Sequence, residues 1–348
     1  MTTNLATNRT MTAAVYRRFG APEVVRLEQR AIPSPKPGEV LIRVHASTVS
    51  VGDHRARARD IPAGLGMLAA VGLGVFRPSR PILGTDAAGV IEAVGSGVTV
   101  FAPGDRVIAS TGGAFGGHAE YVCLPADGPI TRAPATMTLE EAVTLVFGGI
   151  TAQCFLKKVA IGPGTSVLVN GAAGAVGTSA IQLAKQLGAD VTAVTSGGNA
   201  SLVTSLGADR VIDYTRQDFT AGGATYDVIV DCVGNAPFGR VEASINPGGA
   251  LLLVISDLWS MLRSRGQSRR SGKLVTWNVG KPGADDLAHL VSLADSGHYQ
   301  AVIDRFFDLA DIVEAHRYVD TGRKRGNVVL RATHPEPDTT HLHTEGTT

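Results

Sequence analysis

Cysteine is scarce: only Cys123, Cys154 and Cys232 occur among 348 residues. Their odd number and wide separation exclude a disulfide framework, and the absence of any C-x-x-C pair removes the usual sign of a thiol redox or metal site. Excess charge is lacking too. The 32 basic side chains nearly cancel the 31 acidic ones, so no nucleic acid or other polyelectrolyte partner is expected. The stretch from Thr2 to Thr12 is polar and has no apolar run of the kind a signal peptide needs, which makes the cytoplasm the expected compartment. One segment, residues 61–76 (IPAGLGMLAAVGLGVF), is apolar throughout and has arginines on both sides, but it falls short of the ~20 residues that span a bilayer. Its four glycines and Pro62 weaken a helix, so no stable membrane insertion is expected. A loop covering a pocket for a hydrophobic substrate is the first reading, and contact with a membrane interface the second.

What the chain does contain is a glycine fingerprint. The apolar run Val167-Leu168-Val169 ends in Asn170-Gly171-Ala172-Ala173-Gly174-Ala175-Val176-Gly177, with glycines spaced G-x-x-G-x-x-G. A helical pattern follows at once, with Val176, Ala180, Leu183, Ala184 and Leu187 on one face. Strand, tight turn and helix in this order present backbone N–H groups and a helix N-terminus to a pyrophosphate. Glycine serves there because a Cβ would block the phosphate or the close helix–strand contact. The context on both sides is what lifts the motif above a bare glycine triplet.

The length suggests about two domains. Up to about residue 140 the chain reads as mostly strand, with β-rich runs at 24–27, 40–44 and 87–94 punctuated by Pro and Gly clusters. The texture then alternates. Thr138-Leu139-Glu140-Glu141 is a capping box that opens a helix. After the fingerprint come strands at 191–195, 210–213, 227–231 and 250–255 with helices between them, a succession that implies a parallel sheet covered on both faces. Helices are expected at 285–296 and 308–318, and a last strand at 327–331. His341 and His343 belong to a polar end read as solvated tail.

Taken together, these motifs resemble the medium-chain dehydrogenase/reductase superfamily, in its zinc-free quinone oxidoreductase-like branch. The resemblance runs from about Met11 to Arg331. It rests on Gly84-Thr85-Asp86-Ala87-Ala88-Gly89, Val94-Gly95-Ser96-Gly97-Val98 and Pro103-Gly104-Asp105-Arg106-Val107. To these it adds Phe147-Gly148-Gly149-Ile150-Thr151-Ala152, the fingerprint, Leu206-Gly207-Ala208-Asp209 and Val211-Ile212-Asp213-Tyr214. It implies an α/β chain: a GroES-like β domain over 11–140, a Rossmann doubly wound parallel sheet over 141–284, and a return to the first domain over 285–332. Residues 1–10 and 333–348 are expected to be disordered tails. The resemblance places the active site in the cleft between the domains and allows a homodimer.

The departures from the zinc-dependent relatives bear on the chemistry. Where those carry a Cys–His pair and a Gly-His-Glu triplet, this sequence reads Ser50-Val51 and Gly84-Thr85-Asp86. Hydroxyls are poor zinc ligands beside thiolate and imidazole. The structural-zinc lobe is replaced by Gly112-Gly113-Ala114-Phe115-Gly116-Gly117, and His45, His54 and His118 lack close ligand partners in sequence. No metal is expected. Without a Lewis acid, hydride transfer to an already activated acceptor, a quinone or an α,β-unsaturated carbonyl, is easier than stripping a proton from an alcohol. A metal-free alcohol or aldehyde oxidoreductase and a non-catalytic coenzyme-binding sensor are the alternatives.

The strand at 191–195 ends in Thr195-Ser196 rather than the acid that holds the ribose hydroxyls of NADH, so NADPH is expected ahead of NADH. Ser196, the amides of Gly197 and Gly198, and Asn199 are candidate donors to its 2′-phosphate; Tyr214 matches a family tyrosine near that phosphate. The turn Arg323-Lys324-Arg325 is a source of positive charge, with Arg325 the chosen candidate. The resemblance puts Thr151 near the nicotinamide. It makes Ser50 a donor to the substrate oxygen and Asp53 a group that orients water or a neighbouring side chain. Asn170, Gly171, Gly174, Ala175, Val176 and Gly177 complete the expected coenzyme site.

Overall fold

The computed structural model describes residues 9–332. Most of the expected tails, and with them His341 and His343, lie outside this range. The chain builds a two-stranded antiparallel ribbon, Thr10–Tyr16 with Val25–Ala31, and two larger sheets. Strand Ser166–Asn170 is buried on both faces apart from its first residue, the pattern of a central parallel strand. It lies in a six-stranded parallel sheet ordered Arg210–Asp213, Asp190–Thr195, Ser166–Asn170, Tyr226–Asp231, Ile245–Leu253, Leu274–Thr276. This is the doubly wound order 3-2-1-4-5-6, in which ligands sit beyond the carboxyl ends of the strands where the order reverses. The reversal falls between Ser166–Asn170 and Tyr226–Asp231. The fingerprint turn stands there.

The second sheet has seven strands. Glu39–Thr48 is its hub, pairing antiparallel with Asp86–Val94, Tyr121–Pro125 and the C-terminal strand Asn327–Arg331. The register Val329↔Thr48 shows how the chain end closes on the first domain. That closure carries the segment 322–326 across to the glycine turn, where the Gly326 N–H donates to the Ala173 carbonyl (2.7 Å).

The capping box at Thr138 is formed, each partner bonding the other's backbone N–H. It opens a stretch, Leu139–Leu156, that is long and apolar enough to cross a membrane. Two-thirds of it (67%) is buried inside the protein, which identifies a core helix. A π-helical turn at Leu145–Gly149 interrupts it and packs on the helix that follows the fingerprint. π-Turns often mark functional positions, and this one sets Phe147 and Thr151 against the cleft.

Three elements differ from the sequence expectation. Thr10–Tyr16, whose residues up to Thr12 read as polar terminus, is one strand, and its Ala13 to Tyr16 are fully buried. Leu258–Ser271 is a 14-residue helix that the apolar pattern does not reveal, because only Ser264 is buried on it. The helix expected at 308–318 begins at Ile312, after a strand Ile303–Asp308 that pairs with Asn327–Arg331.

Candidate active site

A cleft of about 1560 Å³ runs between the two sheets. On its Rossmann side the three fingerprint glycines have different duties. Gly171 has φ +79° and turns the chain out of the strand. A Cβ on Gly177 would stand 2.3 Å from the Gly171 carbonyl oxygen, so that glycine packs helix against turn. A Cβ on Gly174 would meet only the Gly171 oxygen, at 3.6 Å, an ordinary contact. The protein itself does not require glycine at 174; it is a ligand approaching the backbone there that would. Gly174 is also the N-cap of Ala175–Gln186 and has no side chain to cap it. The first-turn N–H groups of Ala175, Val176 and Gly177 therefore face the cleft as an anion site. These residues fit a dinucleotide pyrophosphate.

Lys324 reinforces that end. Its ammonium donates to the Gly326 carbonyl (2.6 Å), beside the bridge to Ala173, and the side chain lines the cleft with Arg323 and Arg325. Burial pulls the Lys324 pKa down to about 8, with Asp304 opposing the shift. A protonated Lys324 attracts the coenzyme phosphates and a neutral one does not. Coenzyme affinity is accordingly expected to weaken severalfold as pH rises through 8. Isothermal titrations of NADPH at a series of pH values would check this, and Lys324→Arg should flatten the dependence.

At the ribose end, Thr195 is buried and Asn199 Nδ2 donates to the hydroxyls of Thr195 (3.3 Å) and Ser196 (3.1 Å). Asn199 thus braces the loop more than it reaches outward. The Asp213 carboxylate lies beside Gly197 and accepts from the Thr215 hydroxyl (2.7 Å) and N–H (3.0 Å), which hold it below its usual pKa. Of the expected phosphate donors, Ser196, Gly198 and Asn199 line the cleft and Gly197 does not. Tyr214 is exposed and lines the cleft beside Arg216, a cation that the sequence reading overlooked. Asn170 lines the cleft but is mainly a brace, its Nδ2 donating to Asp231 (2.9 Å) and Asn235 (2.7 Å). Cys232 also lines the cleft; burial, with Asp231 beside it, raises its pKa far enough to keep it a thiol.

The opposite wall starts at Ser50, and here the expectation needs correcting. Ser50 and Asp53 form the capping box of helix Val51–Ala58. The Ser50 hydroxyl donates to Asp53 Oδ2 (2.6 Å), the Ser50 N–H reaches the same oxygen (2.8 Å), and the Gly84 N–H binds Oδ1 (2.8 Å). Both side chains are buried, and neither lines the cleft. The Ser50 proton is therefore not directed at a substrate, and Asp53 orients its neighbour, not a water. The signal was in the sequence, since S-x-x-D ahead of a helix is itself a capping pattern. The Thr151 hydroxyl donates to the Phe147 carbonyl (2.7 Å) and presents its oxygen to the cleft.

The group the sequence reading missed on this wall is Arg55. It lines the cleft with Val51 and Gly52, four and three residues earlier on the same helix face. Among the described residues no carboxylate pairs with it and no carbonyl accepts from it. Its neighbours differ: Arg57 is clamped by Asp320 and the Gly20 carbonyl, and His54 bonds Asp320. Val51, Phe147, Val233, Ile255 and Trp277 add apolar surface around the same space.

The donor set does not suit zinc. Ser50 and Thr85 are neutral hydroxyls 3.5 Å apart. Asp86 is wholly buried and accepts from the Thr48 N–H (2.7 Å), the Thr48 hydroxyl (2.5 Å) and the Ser47 hydroxyl (3.1 Å). Burial lifts the Asp86 pKa to about 7, against those hydrogen bonds. His118 Nε2 donates to the Thr48 carbonyl (3.0 Å), as a core histidine does. Among the described residues, no group of three or more His, Cys, Asp or Glu is arranged to hold a metal ion.

Comparison with known proteins agrees with this architecture. Residues 36–135 match the family model described as alcohol dehydrogenase GroES-like domain, and residues 206–330 the one described as zinc-binding dehydrogenase. The chain is 30% identical to the chloroplastic quinone-oxidoreductase QR1 of Triphysaria versicolor, covering 86% of this chain and 91% of that protein. It is also 30% identical to the 2-methylene-furan-3-one reductase of Solanum lycopersicum, over 96% of this chain and 82% of that one. The solved quinone oxidoreductase from Coxiella burnetii superposes with a TM-score of 0.82 at 27% identity, covering 93% of this chain and all of that one (100%).

Proposed function

The chain belongs to the medium-chain dehydrogenase/reductase superfamily, in its quinone oxidoreductase-like branch, and is an NAD(P)-dependent oxidoreductase; from that premise we propose that it reduces quinones or α,β-unsaturated carbonyls with NADPH and without a metal. The observation that carries the proposal is the pairing of the two walls. An uncapped helix N-terminus behind Gly174 faces one side of the cleft, and the unpaired guanidinium of Arg55 faces it from the other.

When bound, NADPH supplies a hydride from its nicotinamide. A conjugated acceptor that took up this hydride would carry negative charge on its oxygen until a proton from solvent completed the reduction. Arg55 supplies N–H donors and a fixed positive charge for that oxygen, the part that zinc plays in metal-dependent relatives. Ser50 and Asp53 hold the helix that carries Arg55 at a set angle to the cleft. Phe147 and the other apolar wall residues exclude water and favour a flat, hydrophobic acceptor. The hydroxyl-rich donor set at Ser50 and Thr85 supports the metal-free reading, despite the zinc in the matched family's description. The relatives named as a quinone oxidoreductase and a furanone reductase support the acceptor class.

NADPH is favoured over NADH because Thr195 puts no acid where the 2′-phosphate would lie, and Arg216 adds a cation beside Tyr214. Thr195→Asp should weaken NADPH about a hundredfold, as a carboxylate is set against the phosphate in a partly dry site, and should improve NADH. Kd values for both coenzymes measure it; an unchanged ratio would remove the 2′-phosphate from this loop. The proposal as a whole is tested by following NADPH oxidation across quinones, enones, aldehydes and alcohols, with metal analysis of the same sample. Tight NADPH binding without turnover of any acceptor would favour a coenzyme sensor instead.

A further inference from the structure

The apolar segment 61–76 does not wall the cleft, contrary to the sequence expectation: none of its described residues lines it. It forms a helix, Gly66–Leu73, whose Met67 and Val71 share a face and are 86% and 87% exposed; Phe76, just beyond, is 90% exposed. This segment meets the start of helix Leu258–Ser271, where the Leu258 N–H donates to the Ala63 carbonyl (3.1 Å) and Gly64 lies against the Leu258 side chain. That helix in turn exposes Trp259 (60%) and Leu262 (64%), then Arg263 next to Leu262 and Arg269 and Arg270 toward its end. Both helices thus start from one contact, each with large apolar side chains in solvent.

Within these two segments, between the flanking Asp60, Asp86, Asp257 and Asp285, the charge is one-sided. Residues 61–85 and 258–284 contain no Asp or Glu, although the whole chain has nearly as many acids as bases. They contain Arg77, Arg80, Arg263, Arg265, Arg269, Arg270, Lys273 and Lys281. Among the described residues none of these eight forms an ion pair; Lys273 and Arg270 bond backbone carbonyls and Arg263 lies over the Trp259 ring. We propose that this face docks on an anionic lipid bilayer, with Met67, Val71, Phe76, Trp259 and Leu262 entering the interface and the arginines meeting lipid phosphates. Exposed apolar side chains on segments that carry cations outside any ion pair match a surface that is greasy beneath and negative above. A second copy of this chain would bring the same cations against each other. The inference is independent of the chemistry proposed for the cleft.

Vesicle co-sedimentation of the full chain tests it, using phosphatidylcholine alone and phosphatidylcholine with about one-third phosphatidylglycerol, at low and high salt. Binding is expected to the anionic vesicles only and to fall steeply with salt. The triple variant Met67→Ser, Val71→Ser, Phe76→Ser and the triple variant Arg263→Gln, Arg269→Gln, Arg270→Gln should each lose about tenfold or more in vesicle affinity. Neither should change NADPH oxidation with a small soluble acceptor, because none of the six residues lines the cleft. Equal binding to both vesicle types, or to neither, would overturn the proposal. So would sedimentation velocity without lipid if it showed a wild-type dimer that either variant splits, since the face would then be an interface between copies.

Discussion

Replacing Gly174 by alanine is expected to leave the protein as stable as before and to weaken coenzyme binding about tenfold or more; valine should weaken it about a hundredfold. The backbone at this position (φ −79°, ψ 172°) suits any residue, and the added Cβ would meet only the Gly171 oxygen at 3.6 Å. Stability should therefore change by no more than ~0.5 kcal/mol, as at an unencumbered surface site. The new methyl would instead occupy the space through which a pyrophosphate approaches the N–H groups of Ala175, Val176 and Gly177. Gly177→Ala provides the contrast. There the Cβ would lie 2.3 Å from the Gly171 oxygen and 2.8 Å from Ala172, so both stability and binding should fall. Thermal melts and coenzyme titrations of the two alanine variants separate the cases. Unimpaired binding by Gly174→Ala would remove the pyrophosphate from this turn.

Arg55→Met is expected to lower kcat by about a hundredfold with the NADPH Kd unchanged. Removing one preorganised donor to a developing oxyanion costs about 3 kcal/mol in water-excluded sites, which is the basis for that figure. Methionine keeps much of the arginine stem's apolar bulk, so packing in the cleft changes little. Arg55→Lys should recover part of the rate, since it restores charge without the planar fork. Because the carboxylates near this helix are engaged by Arg57, His54, Ser50 and Gly84, the substitution leaves no newly unpaired acid behind. A raised coenzyme Kd with kcat preserved would instead assign Arg55 to a coenzyme phosphate.

These two residues also show what could be read from the chain alone. Gly174 was legible because the demand on it is local: strand, turn and helix follow one another in sequence, and the backbone must stay open at one point. The missing acid at Thr195 was legible for the same reason. Arg55 was not, because its importance depends on which face of a short helix meets a cleft built from strands and turns up to 270 residues away, Arg325 among them. Arg216 escaped notice because the cation near the ribose end comes from the next crossover and not from the loop after Thr195. Ser50 and Asp53 form a capping box in which Asp53 orients a neighbouring side chain, one of the two roles expected of it, while the Ser50 hydroxyl turns to Asp53 and not to the cleft. Helix Leu258–Ser271 left no apolar stripe in the sequence, since it buries almost nothing.

The most direct measurement uses chelator-treated protein, NADPH deuterated at the transferable position of the nicotinamide, and a simple enone, with mass spectrometry of the product. Turnover that places deuterium on the β-carbon of the enone, at a rate unchanged by added zinc, is the expected result. Activity that appears only when zinc is restored, or deuterium delivered only to aldehydes while enones and quinones stay untouched, would contradict the metal-free reductase.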